Sequence, residues 1–329
     1  MLALFRTNQL LLCVLYLPYL LLLRSVGFFF PADEAWLPPS DIGIAAAWVY
    51  SWSGYAGLLP NMLTVLLLTF QATAMTYIAN NHRLTDQMTL FPGLFYLLLV
   101  HTFPGLSQLS PALMGNTFLM LGIAELMRIY KSPDCADAIF NGGWWLGIAS
   151  LFYLPFAGFL IFAWISLDLM RAFNWREWAM AFIGFITPLF LLFIYLFLTD
   201  RAGLLWTNHL SANTGFFTGF NQWTVRDIVP VAGFAGLMLI EFLSFQQYTY
   251  KQTIQVQKKI SMLLWALAIA TAVLFFQPEW SGIDLISLAL PAGMLISLNF
   301  VRMAPKWSES IHVLWLAGVI VYQIVIGVQ

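Results

Sequence analysis

Long apolar runs separated by short polar segments make up most of the chain. A run of about 20 apolar residues is long enough to cross a bilayer as a helix, and the pattern predicts eleven such crossings. Their predicted bounds are residues 10–30, 57–78, 88–103, 110–127, 139–152, 155–170, 178–198, 228–248, 260–276, 283–301 and 311–328. Residues 42–52 are apolar but short, so they predict an interfacial or re-entrant helix.

The stretch Ala138–Met170 decides the topology. Residues 138–167 carry no charge, which is too long for one upright helix and short for two full ones. Pro155 has no N–H to donate and its ring clashes with the preceding turn, so it ends a helix near the middle of the stretch. We therefore expect a bent pair of short helices over residues 138–170, meeting at 153–155.

The basic residues favour a double crossing there. With a cytoplasmic N-terminus and two crossings in 138–170, eleven of the 14 Lys and Arg residues fall on the cytoplasmic side, as the positive-inside rule requires. The pattern thus predicts an all-α polytopic bundle of about eleven transmembrane helices with the C-terminus outside. We expect residues 1–329 to form a single membrane domain, with an acidic loop (31–56) and a polar loop (199–227) on the outer face.

Composition narrows the classes of protein. The 329 residues are 61% hydrophobic and 9% charged, with a formal net charge of −1, whereas a soluble domain carries roughly 25% charged residues. The lipid bilayer is therefore the main surrounding of the chain, and the overall charge suggests no nucleic-acid partner. The two cysteines form no CxxC pair and the four histidines are scattered, so no metal site is predicted from them.

The acidic loop after the first predicted crossing carries the most suggestive side chains. Asp33 and Glu34 lie between Pro31 and Trp36 on the predicted outer face. Carboxylates in such a loop can act as a general base or hold a divalent metal. The alternative is a solvated loop whose acids only follow the charge asymmetry of the membrane.

Arg24 lies about one turn inside the same membrane edge. Its planar guanidinium suits a phosphate group; alternatively it snorkels to the interface or pairs with an acid. An arginine and an acidic loop at one edge fit a site for a lipid-linked phosphosugar. The other candidate substrate-binding residues are Trp36, Asp41, Arg201 and Arg226.

The remaining acids in the predicted helices favour structural roles. Glu125 and Asp168 each precede an arginine, at 128 and 171, by three residues, a spacing that predicts an ion pair on one helix face. Glu241 is expected to find a partner in Lys251. Asp284 opens a predicted helix, where an acid is favourable.

Three further features predict packing rather than chemistry. His101 is expected to be a packed or interfacial histidine. Asn174, with Glu177 in the first turn, predicts a capped helix start. The glycines at 142, 143 and 147 predict a close approach between helices.

Four segments resemble a family of uncharacterised multi-pass inner-membrane proteins of Bacteroidota. They are 109–113 (LSPAL), 139–143 (IFNGG), 149–155 (ASLFYLP) and 173–178 (FNWREW). The resemblance covers most of the chain, is clearest from about residue 85 to 200, and implies a bacterial inner-membrane localisation. Some members carry a carotene-oxygenase label, which the four scattered histidines of this chain do not support.

A second resemblance is architectural. The cytoplasmic N-terminus, acidic first outer loop and bent helix pair resemble the polytopic GT-C glycosyltransferases. That resemblance implies a polyprenyl-phosphate sugar as donor and an acid of the first outer loop, here Asp33 or Glu34, as base or metal ligand. The alternatives are a non-enzymatic scaffold with protein partners in an envelope secretion or motility assembly, and a transporter or lipid flippase.

Overall fold

The computed structural model describes residues 2–6, 10–25, 43–85, 87–102, 106–132, 134–210, 225–250, 252–275 and 282–328. Helices α1 to α7 are Leu2–Phe5, Tyr16–Leu23, Ile44–Ser53, Leu58–Asn81, Phe91–Thr102, Pro111–Met127 and Ala136–Phe152. Helices α8 to α14 are Phe159–Met170, Trp175–Leu198, Val225–Leu243, Phe245–Thr249, Ile254–Leu274, Ile286–Arg302 and Pro305–Val328. Shorter turns of 3-10 or π helix occupy Leu10–Leu15, Leu154–Gly158, Leu205–Leu210 and Gly282–Leu285.

The all-helical membrane fold predicted from the apolar pattern is confirmed, since the described residues contain helices and no strand. A helical segment coincides with each predicted crossing. Four helices are at least 18 residues long and apolar enough to cross a membrane: Leu58–Asn81, Trp175–Leu198, Ile254–Leu274 and Pro305–Val325. The other apolar helices are shorter, at 10–17 residues. The number and direction of the crossings therefore remain predictions.

Local sequence explains several helix boundaries. Ser110 caps α6, because its side-chain oxygen accepts a hydrogen bond from the Leu113 N–H at 3.0 Å, and Asn174 caps α9 in the same way through the Arg176 N–H. Between α7 and the turn Leu154–Gly158, Tyr153 adopts an extended backbone. The break in the predicted helix pair thus falls beside Pro155.

Two helices form the centre of the bundle. Residues Phe91–His101 of α5 and Ile286–Leu298 of α13 are buried on every side, and the two helices pack on each other. The long helices α9 and α14 lie outside them and expose many apolar side chains. Apolar side chains on an outer helix suit contact with lipid tails, so the surface of the bundle agrees with a membrane surrounding.

Polar side chains inside the bundle are hydrogen-bonded to one another. Gln71 of α4 donates to the Leu113 carbonyl at 2.9 Å and to the Thr117 hydroxyl at 2.7 Å, and it accepts from the Tyr96 hydroxyl. Asn116 donates to the same Tyr96 oxygen at 3.2 Å. This network joins α4, α5 and α6, because a polar group buried in an apolar surrounding needs a partner.

Glycines set the spacing of α7 from its neighbours. A Cβ added to Gly143 would collide with the Ala181 carbonyl of α9, and a Cβ on Gly184 would collide with the Phe140 carbonyl of α7. Gly142 and Gly122 have the same role between α7 and α6, where a Cβ would press on a leucine side chain. The predicted close approach is therefore present, with α7 packed between α6 and α9.

Hydrogen bonds between distant parts of the chain define one end of the bundle, which we name the inner end after the orientation that the charge pattern predicts. Lys259 Nζ lies 3.0 Å from His82 Nδ1, and Arg302 Nη2 donates to the Tyr248 carbonyl at 3.0 Å. Arg171 Nη1 donates to the Ser132 carbonyl. These bonds join loops that the positive-inside rule assigns to the cytoplasm.

Other hydrogen bonds define the opposite, outer end. The Tyr153 hydroxyl donates to Asp284 Oδ1 at 2.6 Å, and the Tyr50 hydroxyl donates to the Leu109 carbonyl at 2.8 Å. The helix pair α7–α8 therefore reaches the outer end at Tyr153 and returns to the inner end at Arg171. A double crossing of the membrane requires this geometry.

The glycine contacts predict that a methyl group added at a packed glycine lowers stability, whereas one added at an unpacked glycine does not. We expect Gly143→Ala to lower the apparent melting temperature in detergent by several degrees, because overpacking costs about 1–3 kcal/mol. The matched control is Gly318→Ala in α14, where a new Cβ meets nothing within 4 Å. Intrinsic-fluorescence unfolding measures both variants, and equal melting temperatures for the two would contradict the packing described here.

Candidate functional site

The outer end of the bundle is assembled from four segments. Helix α3 lies against the end of α7, because Gly43 comes so close to the Phe152 carbonyl that no Cβ would fit. Tyr50 of α3 reaches the residue before Ser110, at the start of α6. Asp284, expected to open a helix, lies in the 3-10 turn Gly282–Leu285 before α13 and accepts the Tyr153 hydrogen bond. This end is therefore held by side chains of several distant segments.

Arg24 lies at this end, directly after α2. Its Nη2 donates to Asn61 Oδ1 of α4 at 3.2 Å. Its Nη1 is buried and has no hydrogen-bond partner among the described residues. The guanidinium is therefore held by one amide, and the N–H donors of Nη1 have no partner among the described residues.

His101 of α5 lies close enough to Arg24 for the two side chains to interact electrostatically. The His101 Nδ1 atom is 2.7 Å from the Leu97 carbonyl oxygen. Since a carbonyl oxygen only accepts, Nδ1 carries the hydrogen, and Nε2 of the neutral ring is an acceptor. Nε2 is buried and unpaired among the described residues. We name Arg24, Asn61 and His101 the Arg24 pocket.

The Arg24 pocket contains one unpaired donor, Arg24 Nη1, and one unpaired acceptor, His101 Nε2. A cationic N–H donor forms a charge-assisted hydrogen bond with a phosphate oxygen, and a neutral imidazole accepts from a hydroxyl group. His101 was expected to be a packed histidine, and it is buried as expected. Its neighbour Arg24 could not be read from the sequence, because 77 positions separate the two residues.

Residues 26–42 lie outside the described part of the structure, and with them Asp33, Glu34, Trp36 and Asp41 of the acidic loop. The residues on either side of this segment are described. It leaves α2 beside Arg24 and re-enters the structure at Gly43, which lies against the end of α7. Both ends are thus fixed at the outer end of the bundle, the end that holds the Arg24 pocket.

The predicted polar loop contains two candidate substrate-binding arginines, Arg201 and Arg226. Arg201 is exposed in the turn after α9, where its N–H donates to the Leu196 carbonyl at 2.8 Å. Arg226 belongs to the first turn of α10, and its side chain lies outside the described part of the structure. The described contacts place neither side chain in the Arg24 pocket.

The expected ion pairs of the helices were right in one case and wrong in another. Arg128 Nη1 lies 2.6 Å from Glu125 Oε2, as the spacing predicts. Asp168 is exposed, and Arg171 pairs instead with Glu177 at 3.2 Å. Because α8 ends at Met170 and Arg171 has an extended backbone, the helical i,i+3 geometry is lost.

Glu241 of α10 is fully buried, at 0% exposure. Among the described residues neither of its carboxylate oxygens has a hydrogen-bond partner. Lys251, its expected partner, lies outside them. The carboxylate interacts electrostatically with the Tyr248 hydroxyl.

No metal cluster is found in the part of the chain that the structure describes, where three or more His, Cys, Asp or Glu side chains never gather. The predicted metal ligands, Asp33 and Glu34, lie outside that part. The residues that surround the Arg24 pocket offer nitrogen donors and amide groups. This donor set suits an anion better than a divalent cation.

Comparison with solved structures shows the fold class. ArnT from Cupriavidus metallidurans, in a crystal structure bound to undecaprenyl phosphate, aligns with a TM-score of 0.55 at 12% identity over 88% of this chain. This chain spans 56% of the length of that protein. The fold of this chain is therefore similar to that of the ArnT structure.

Other comparisons add little. The Archaeoglobus fulgidus oligosaccharyltransferase in the apo form aligns over 95% of this chain and 51% of its own length at 12% identity, but its TM-score of 0.48 is too low to indicate a shared fold. No protein-family model matches the chain, and no curated protein matches it. The resemblance to a Bacteroidota family is therefore unsupported.

The surroundings of Glu241 predict that Glu241→Gln is tolerated. An amide keeps the shape of the side chain, and no described ion pair is lost with the charge. We expect the apparent melting temperature to stay within about 2 °C of wild type. Glu125→Gln is the matched control. It removes the charge from the Glu125–Arg128 ion pair, which is partly exposed and stabilises the fold by at most about 1 kcal/mol. A large loss of stability in Glu241→Gln alone would show that the carboxylate has a partner.

Proposed function

We propose that this protein binds or processes a polyprenyl-phosphate-linked glycan at the outer leaflet, as a GT-C-like glycosyltransferase or a catalytically inactive relative. The Arg24 pocket carries this proposal, because it contains a buried, unpaired guanidinium nitrogen and a buried, unpaired imidazole nitrogen whose side chains interact electrostatically. Its place at the outer end suits a headgroup at the membrane surface. The alignment with ArnT, a protein crystallised with undecaprenyl phosphate, supports the same class of lipid.

The chemistry of the pocket suggests how a phosphate is held. Asn61 fixes the Arg24 guanidinium through Nη2, so Nη1 is presented in one orientation. A phosphate oxygen accepts from Nη1, and a protonated phosphate oxygen donates to His101 Nε2. Arg24 is thus the phosphate clamp, and Asn61 and His101 position it and the bound group.

The catalytic form of the proposal assigns the base to the acidic loop. Asp33 or Glu34 accepts the proton of an acceptor hydroxyl, and the hydroxyl oxygen bonds to the anomeric carbon of the sugar. The bond from that carbon to the phosphate oxygen breaks, and its electron pair stays on the phosphate. Arg24 stabilises this developing negative charge. A divalent metal, if one is used, would be held by the same two carboxylates.

The two alternatives make different demands on the structure. A scaffold in an envelope assembly predicts stoichiometric protein partners and dispensable Asp33 and Glu34, and the comparisons give it no support. A transporter or flippase requires ionisable groups along a central path. In the described residues the centre, α5 and α13, is filled by side chains packed on each other. Lipid-linked glycan binding therefore remains the favoured function.

Replacing Arg24 tests the phosphate clamp. We expect Arg24→Ala to weaken undecaprenyl-phosphate binding by about 10- to 100-fold, because a hydrogen bond to a charged group contributes about 1.5–3 kcal/mol. Arg24→Lys should keep part of the affinity, since it keeps the charge but loses the planar fork. Binding is measured by titrating the lipid into purified protein and following tryptophan fluorescence.

The matched control for Arg24→Ala is Arg176→Ala, which removes an exposed arginine from the first turn of α9. Its affinity should equal that of wild type. Unfolding curves of the three variants separate lost binding from lost structure. If a folded Arg24→Ala protein bound undecaprenyl phosphate with wild-type affinity, Arg24 would not be the phosphate clamp.

Replacing the loop acids separates an enzyme from an inactive relative. We expect Asp33→Asn with Glu34→Gln to change the surface-glycan profile of cells while lipid binding is retained, because the base is lost and the Arg24 pocket is not. The profile is compared with that of cells that carry Asp200→Asn, an exposed acid in the turn after α9. An unchanged profile at normal protein level would reject catalysis and leave the binding proposal standing.

A further inference from the structure

Basic side chains from two distant parts of the sequence meet at the inner end of the bundle. Arg128 closes α6 and Lys131 follows in the next turn, while Lys258 and Lys259 lie in the first turns of α12. We name these four residues the inner-end basic cluster. It lies at the opposite end from the Arg24 pocket and plays no part in the proposed function.

Tyr130 joins the two halves of the cluster. Lys131 Nζ lies 5.7 Å from the centroid of its ring, and Lys258 Nζ lies 5.4 Å from the same centroid. An aromatic ring attracts each ammonium group by a cation–π interaction. The ring therefore holds two ammonium groups at one corner of the inner end, within about 6 Å of the same centroid.

Lys259 adds a buried charge to the same end. It is 4% exposed, and its Nζ lies 3.0 Å from His82 Nδ1. Burial, together with the Lys259 charge, lowers the pKa of His82 to about 4, so at neutral pH the ring accepts a hydrogen bond from the ammonium. Since an ammonium has three N–H donors, Lys259 keeps donors for an acceptor from outside.

Acids do not neutralise the cluster. Glu125 pairs with Arg128, and among the described residues no carboxylate forms an ion pair with any of the three lysines. Asp134, which follows in the same loop, is exposed and forms no such pair either. Four basic groups and the two carboxylates of Glu125 and Asp134 leave a net charge of 4 − 2 = +2 at this corner.

We propose that the inner-end basic cluster binds the phosphate group of an anionic phospholipid headgroup. The cluster is placed where helices end, and the positive-inside rule assigns this end to the cytoplasmic leaflet, where a headgroup phosphate meets the protein. Several lysines around one small site offer N–H donors from more than one direction. A free phosphate ion has the same chemistry, so the test includes it as a separate arm.

The test compares lipids on full-length protein purified in a neutral detergent. Phosphatidylglycerol should raise the apparent melting temperature of wild type, and phosphatidylcholine, which is zwitterionic, should not. In Lys131→Gln with Lys258→Gln we expect the apparent affinity for phosphatidylglycerol to fall by about 10- to 30-fold, because each lysine near an anionic lipid contributes about 1 kcal/mol. The remaining effect should weaken further as salt is raised.

Lys306→Gln is the matched control, because Lys306 is exposed in the first turn of α14 and lies outside the cluster. It should respond to phosphatidylglycerol as wild type does. Lys131→Gln alone, at an exposed turn, keeps the test valid if the double variant does not fold, and its affinity should fall by about 5-fold.

Inorganic phosphate identifies the source of the bound group. Stabilisation by phosphatidylglycerol and not by phosphate assigns the cluster to a lipid headgroup. If inorganic phosphate stabilises wild type as much as phosphatidylglycerol does, and the lysine variants lose this effect, the cluster is an anion site for a soluble ligand and the lipid assignment is wrong. Equal affinity for phosphatidylglycerol in wild type and the folded lysine variants would overturn the proposal.

Discussion

Lipid tails offer no hydrogen bonds, and this constraint shapes the whole protein. Helices satisfy the backbone, so the polar side chains that remain must find one another or gather at the helix ends. In the centre of the bundle, Gln71, Tyr96 and Asn116 form hydrogen bonds with one another. At the helix ends, Tyr153 bonds to Asp284 at the outer end and Lys259 bonds to His82 at the inner end. These bonds order the short helices, which apolar surface alone would not fix in a lipid surrounding.

The same constraint makes an unpaired buried polar group a sign of a binding site. A charged donor is the most costly buried group to leave unpaired, so a guanidinium nitrogen without a partner points to a group that the protein itself does not supply. Arg24 is such a case, and its partial anchoring by Asn61 aims the free nitrogen rather than leaving it mobile. Arg24 is next to Ser25, the last described residue before the acidic loop, so the proposed phosphate and carboxylate base can belong to one site.

Sequence reasoning predicted the helices well, because the apolar period and the positive-inside rule act locally along the chain. The bend at Pro155 and the cap at Asn174 follow from single residues. The failures concern contacts that depend on where a helix ends or which helices meet. Asp168 lacks its expected partner because α8 ends before Arg171, and no sequence pattern predicted the electrostatic interaction of His101 with Arg24. Arg24 itself was found from the chemistry of its side chain, not from its neighbours.

The most direct measurement of the central claim is an experimental structure of the protein with undecaprenyl phosphate. The account predicts the phosphate at the outer end, with an oxygen about 3 Å from Arg24 Nη1 and within reach of His101 Nε2. A phosphate bound elsewhere, with Arg24 Nη1 bonded to a protein carboxylate, would contradict it.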